Sequence, residues 1–465
     1  MIQITRLLAR QLKPVFRRMI TENGRGTIHA PVLMHAGPEG LRIRISSSEV
    51  AAEYHDPTPC EADAAYVPFE FLNDCEANSD TPVQIEMTSG DRVMATWNEG
   101  HVPQMKHYDV AATEHFFPTR IEAFADNPPE LANALHAAME TASNESTRYS
   151  LHCVQLSGSG TIAATDAGQI LVQSGFEFPW EKDLLIPRRS VFGSSQLPSN
   201  TKVEVGKSER WVCFRIGSWS FQFAINTEGR FPSLETMFRD VENAEASIQI
   251  DSHDATFLLK SMKQLPGGDT FHSPVTVDAN GRVFIRSQGE DAPSPVEILL
   301  SNSTRSGQAE RINTDRKFLR RALDLGFREI HVFAPDQPLL CVDHRRKYLW
   351  ATLTPEDAIK PSDDAVRISS VFDDASVPIT TTQTQQETTV AKSAQTSSAN
   401  SQSDNQQTAS RSTDELIDAA EHLKASLRDT LGKTNELIVG LKRHRKEAKI
   451  VRTTLDSLRQ LQTVG

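Results

Sequence analysis

Two short stretches of this chain carry the residue types of catalysis, and neither has the spacing. His152-Cys153 sits in an alternating apolar run, which makes Cys153 a core residue before it is a nucleophile. Ser157-Gly-Ser-Gly-Thr161 is a lone Gly-x-Gly between two strand patterns and reads as a hairpin turn. No Gly-x-x-x-x-Gly-Lys, His-Glu-x-x-His or Gly-x-Ser-x-Gly occurs. The cysteines (Cys60, Cys75, Cys153, Cys213, Cys341) are scattered, odd in number and without a Cys-x-x-Cys, which points to a reducing cytoplasm and away from disulfides or zinc. The chain does not read as an enzyme, and no metal or cofactor is expected.

The chemistry its side chains do offer is contact with anions. Arg6, Arg10, Lys13 and Arg17 recur at steps of four, three and four, so they share one stripe of a helix. Arg316 with Arg320, and Lys317 with Arg321, are i, i+4 pairs opposite Phe318, Leu319 and Leu325; Arg188 and Arg189 open a further predicted helix, and Lys260 and Lys263 lie on another. Each stripe alone reads as a solvated face. Four of them in a chain of net charge -12 imply that the acids lie elsewhere, giving a basic surface for a sequence-independent polyanion inside an acidic exterior. The helix Pro129 to Ser143 has no Lys or Arg and breaks the uniformity.

The elements that must position these residues recur in one order. Amphipathic helices are predicted over 6–20, 129–143 and 254–265, each followed by period-two strands, then a second helix (after Val67, Ile186 and Ile312), then more strands. The order repeats about every 115–125 residues, too long for a solenoid and right for tandem copies of one domain. Alternation without long crossovers implies antiparallel sheets with two helices on one face of each copy: α+β, three times over. The expected domains are 1–119, 120–243 and 244–357. At 465 residues, with 38% hydrophobic and 24% charged, the chain has room for three cores, and no apolar run is long enough to span a membrane. The basic, apolar N-terminus lacks a continuous apolar core and a cleavage site, so it reads as a structural helix and not a targeting peptide.

The segments LARQLKPVFRRMI, RYSLHCVQL with TIAATDAGQILV, LLIPRRSVF, FQFAINTEGRFPSLETMF, and INTDRKFLRRALDL with YLWATLTP follow one another in the order of the bacterial DNA polymerase III sliding clamp (β clamp), which the chain resembles from residue 1 to about 357. The resemblance implies a ring of two three-domain protomers head to tail, with helices lining the hole and sheets outside. Such a ring encircles duplex DNA, is opened by an external ATPase, and tethers DNA polymerase, the clamp loader and repair proteins through short linear peptides. It further implies a peptide pocket between the second and third domains. Carried over position by position, that pocket takes Leu151, Thr165, Ala167, Gly168, Gln169 and Ile170, then Pro232, Thr236 and Met237, then Pro338, Thr352, Leu353 and Thr354. The chain departs from the family where Ala167-Gly-Gln-Ile170 replaces a common Gly-His-Arg-Leu, and where Thr354 replaces a usual Met. A rival expectation keeps the clamp fold as a scaffold that assembles proteins without encircling DNA.

Family chains stop near the position of Pro355. Here residues 358–411 are rich in Ser, Thr, Gln, Asp and Ala and read as a disordered linker. Ser412-Thr-Asp-Glu415 is a capping box, and Leu416, Ala420, Leu423, Leu427, Thr430, Thr434, Leu437, Leu441, His444, Ala448, Val451, Leu455 and Leu458 keep a 4/3 spacing over 412–463. That pattern predicts a coiled coil or helical hairpin, self-associating or paired with another helix. The basic stretch Lys442 to Arg452 reads as its solvated face.

Overall fold

The computed structural model describes residues 1–371 apart from 23, 90–91, 110–115, 120, 146–149, 269–271 and 290–291. The predicted helical repeat at 412–463 and most of the linker lie outside the described residues.

Five α-helices stand on the described chain: α1 (Arg6–Ile20), α2 (Glu70–Cys75), α3 (Glu130–Thr141), α4 (Ser252–Ser261) and α5 (Arg316–Asp324). Polar caps fix three of the starts. Thr5 accepts from Leu8 N at 3.0 Å, Asp251 from His253 N at 2.8 Å, and Asp315 from Lys317 N at 2.9 Å. α1 buries Ala9, Leu12, Val15, Phe16 and Met19 along one 3.6-residue stripe, as its predicted amphipathicity requires. One expected helix is absent. After Ile186 the chain makes only a 3-10 turn, Val191–Gly193, because Gly193, two serines and Pro198 interrupt any helical run. Two α-helices per domain is therefore corrected for the middle stretch, and Arg188 and Arg189 precede a turn.

The strands form four sheets, two of which join distant parts of the chain. In the eight-stranded sheet, Val50–Asp56 pairs antiparallel with Trp219–Ala224, setting Ala52 opposite Phe221. In the nine-stranded sheet, Gln169–Gln173 pairs antiparallel with Arg346–Trp350, setting Leu171 opposite Tyr348. These two pairings are the seams. The outlying sheets are four-stranded, ending on the edge strand Val102–Asp109, and five-stranded, ending on Val366–Ser369. That last strand is a second correction: composition assigned 358–411 to a linker, yet Val366-Arg-Ile-Ser alternates and pairs in parallel with Val296–Leu300.

In the nine-stranded sheet, alternate side chains face the helices. Ile162, Ala164 and Leu156 pack with Leu131, Leu135 and Ala138 of α3, and Leu171, Tyr348 and Trp350 with Ala322 and Leu323 of α5. Cys153 is fully buried on the opposite face of its strand from Val154 and Leu156, its Sγ accepting from Asn226 Nδ2 at 3.6 Å; burial pushes its thiol up. Cys75 and Cys213 are pushed up to about 12 by the same cause. Thiols so placed are packing groups. No helix among the described residues is long and apolar enough to cross a membrane.

Candidate functional site

The basic residues divide into those that hold the fold and those that face outward. Arg6 is buried, with Nε donating to Cys75 O at 2.9 Å and Nη1 to Asn98 O at 2.9 Å. Arg316 is buried and donates to the carbonyls of Leu265 (2.7 Å), Pro266 (2.5 Å) and Ser273 (3.1 Å), stapling α5 to the end of α4. Arg189 is buried and paired with Glu49 at 2.9 Å; Arg188 donates to Met139 O at 2.6 Å, and burial lowers its pKa. A guanidinium with its donors spent on carbonyls or on a carboxylate offers little to a phosphate, so these four are corrected from surface contacts to structural ties.

The remaining cations lie at the surface in varying states of engagement. Lys13 meets Glu76 at 2.7 Å, Lys317 meets Asp315 at 3.0 Å, and Arg320 meets Asp324 at 3.3 Å and Leu259 O at 2.8 Å. Arg17 donates to Gly26 O at 3.2 Å and stacks on Phe69. Arg321 is neutralised by Glu140 of α3 at 2.5 Å. Among the described residues, Arg10, Lys260 and Lys263 are exposed and carry no ion pair.

A different surface forms on the sheet face turned away from the helices, at the second seam. The antiparallel pairs Ala163↔Val172, Thr165↔Ile170, Ile170↔Leu349 and Leu340↔Leu349 put these side chains on one face. Ala163, Ile170, Leu340 and Leu349 there join Phe333 and Leu234 in a buried apolar cluster, edged by Val172, Phe231, Phe238, Ala244 and Val342. The covering comes from the connecting segment Phe231–Phe238. Leu234 dips into the cluster, while Met237 stands 53% exposed beside it. Arg239 spans to Gln337 at 3.0 Å and Lys347 lies over the Phe238 ring, giving the apolar patch a cationic rim.

The turn that leads into this surface is built by Asp166. Its Oδ1 accepts from Gly168 N and Gln169 N, both at 2.9 Å, and Oδ2 accepts from Gln169 Nε2 at 3.0 Å. Ala167 takes φ +74 to close the turn, and a Cβ on Gly168 would stand 2.9 Å from the Phe318 ring.

No family model matches the chain, and no curated protein matches it. Solved structures do. The β subunit from DNA polymerase of Streptococcus pyogenes superposes with TM-score 0.62 at 16% identity, over 76% of this chain and 99% of that one. A sliding clamp (DNA polymerase III subunit β) from Pseudomonas aeruginosa, bound to griselimycin, gives 0.61 at 13%, over 76% and 98%. The DNA polymerase III β subunit from Thermotoga maritima gives 0.59 at 12%, over 76% and 99%. The fold is that of the bacterial sliding clamp.

Against the clamp fold, the expected pocket residues separate. Thr165 and Ile170 lie on the apolar face, and Pro232 and Met237 lie in the segment beside it. Thr236 is exposed there, Pro338 sits at the rim, and Leu151 is buried next to Ser143, whose N–H it accepts at 2.8 Å. Ala167 and Gly168 shape the turn. Thr352, Leu353 and Thr354 are tied to the Arg311–Asp315 strand, Leu353 N donating to Asn313 O at 2.8 Å and Asn313 Nδ2 to Thr354 O at 3.1 Å. Gln169 points the other way. It is buried on the helix side, its Oε1 accepting from Tyr348 O–H at 2.7 Å. The expectation for Gln169 is corrected by strand alternation: it shares a face with Leu171, not Ile170. Sequence reading missed Leu234, Phe333, Leu340 and Leu349; the alternation in Leu339-Leu-Cys-Val and Tyr348-Leu-Trp was the available signal.

Proposed function

We propose that the chain is a divergent sliding-clamp processivity factor, non-enzymatic, acting on duplex DNA without regard to sequence. Two copies, each with domains 1–119, 120–243 and 244–357, close head to tail in the cytoplasm. DNA polymerase, the clamp loader and repair proteins dock by linear peptides. The observation that supports this most is the apolar cluster of Ile170, Leu234, Phe333, Leu340 and Leu349, on the helix-free face at a seam between two parts of the chain. An extended peptide with two or three apolar side chains, flanked by acids facing Arg239 and Lys347, would seat at the edge of this buried cluster, beside the exposed Met237. On the helix side, Arg10, Lys260 and Lys263 supply weak phosphate attraction that permits sliding.

The test is retention on nicked circular duplex DNA, with the host loader and ATP, before and after linearisation. Retention on circles in moderate salt, lost once the DNA has ends, is the expected result. Equal loss from both forms would overturn the clamp reading and leave a scaffold.

A further inference from the structure

The strand Val366–Ser369 lies past Pro355, where the resemblance to the clamp family ends, and it changes the edge on which a ring would close. It runs parallel to Val296–Leu300, with Val366 opposite Val296 and Ile368 opposite Ile298. Val366 N donates to Pro295 O at 2.9 Å and Ser370 N to Leu299 O at 3.0 Å. Ser370 locks the end. It is fully buried, donates to Asp254 Oδ1 at 2.6 Å and accepts from Ser301 N at 3.0 Å. Arg367 reaches Glu297 at 3.3 Å. Without this strand, Val296–Leu300 would be the open edge of its sheet.

The added strand is itself an unfinished edge. Because the N–H groups of Val366 and Ser370 turn inward, alternation turns those of Arg367 and Ser369 outward. Val366 and Ile368 share a face with Ile298, which is buried against the helices, yet they stand 57% and 42% exposed, and Val371 50%. In the four-stranded sheet, the edge strand Val102–Asp109 exposes Val102 (60%) and Met105 (65%). Half of the exposed large hydrophobic residues described thus fall at these two edges. One chain alone leaves both edges bare, whereas two copies head to tail cover all four.

We propose that Val366–Ser369, and not Val296–Leu300, is the edge on which a second copy docks its Val102–Asp109 strand. The inference rests on the ring reading above, and one experiment separates their failures. Full-length chains are compared by sedimentation equilibrium. Arg367→Pro deletes an outward N–H and is tolerated on an edge strand; Arg367→Ala is its control for the lost Glu297 pair. Ile368→Pro deletes an inward N–H and detaches the strand. Met105→Asp disturbs the opposite edge. The expected result is a dimer whose dissociation constant rises at least about tenfold in Arg367→Pro relative to Arg367→Ala, and likewise in Ile368→Pro and Met105→Asp (about 1.4 kcal/mol per decade). If Ile368→Pro dimerises as tightly as the wild type or tighter, Val296–Leu300 is the docking edge and the added strand its cover. If only Met105→Asp weakens the dimer, this inference falls and the ring stands. A wild-type chain that stays monomeric overturns both.

Discussion

Arg321 of α5 meets Glu140 of α3 at 2.5 Å, and its other terminal nitrogen donates to Ala137 O at 2.9 Å. The pair ties together helices on either side of the second seam. It also withdraws one cation from the helix side of a fold whose proposed ligand is a polyanion. Removing the acid should release it. Glu140→Gln keeps the hydrogen-bonding shape, so its expected effect is tighter DNA retention at low salt. The plot of log affinity against log salt should steepen by about 0.9 for one additional phosphate contact. An unchanged slope would mean that Arg321 stays committed to Ala137.

The helix stripes were legible because they follow from spacing: α1 and α5 lie where the 3.6-residue pattern put them. Which arginines reach solvent was not legible. Arg6 and Arg316 stand at the first position of their helices, where free carbonyls of a neighbouring turn collect a guanidinium, and no one-dimensional pattern records those carbonyls. Face was the other limit. Thr165 and Ile170 oppose each other and share the apolar surface, but Gln169, one residue away, must turn to the helices. Carrying positions over from a resemblance ignores that alternation. The Val366–Ser369 strand was hidden because four residues inside a polar tract do not move its composition.

Ala167 holds a backbone conformation, φ +74, that glycine adopts freely and alanine does not. The resemblance puts Gly at this place in the family's turn. Ala167→Gly should therefore stabilise the chain by roughly 1 kcal/mol, after allowing for the greater chain entropy of glycine in the unfolded state. Urea unfolding monitored by circular dichroism checks the sign. A destabilised variant would mean that Asp166 alone dictates the turn.

Arg286 is buried between two acids, with Asp278 on one side and Glu297 on the other, the latter at 2.6 Å. Arg311 also reaches Asp278 at 3.1 Å, and Arg367 reaches Glu297. Burial by itself would raise the Asp278 carboxyl; the Asn280 N–H and the two guanidinia outweigh it and hold the group below its ordinary value. Arg286→Met leaves both acids in the core with only peripheral partners. Breaking one member of a buried ionic set costs about 3–5 kcal/mol. The same denaturant titration should show that loss, and the Asp278 carboxyl, freed of that guanidinium, should titrate higher. A change under about 1 kcal/mol would show that Arg311 and Arg367 suffice to compensate.

Asp254 is where acid should detach the added strand. Its carboxylate is buried and accepts from Ser303 O–H at 2.6 Å, Ser370 O–H at 2.6 Å, Asn302 N at 3.0 Å and Asn302 Nδ2 at 3.1 Å. Burial pushes the group up, but these donors together prevail and its pKa lies below the ordinary 3.8. A carboxyl depressed in the folded state contributes stability that is complete above the unfolded value and lost as pH falls through the folded one. Wild-type stability from this source should thus be flat at neutral pH and decline only below about 3.8. Asp254→Asn removes the charge at every pH, so its melting temperature should lie below the wild type at pH 7 and converge on it in strong acid. Hydrogen exchange at the Ser370 amide should rise in the variant at pH 7, since Ser370 loses its charged acceptor. Parallel melting curves at all pH values would place the anchor of the strand elsewhere, in the Arg367–Glu297 pair.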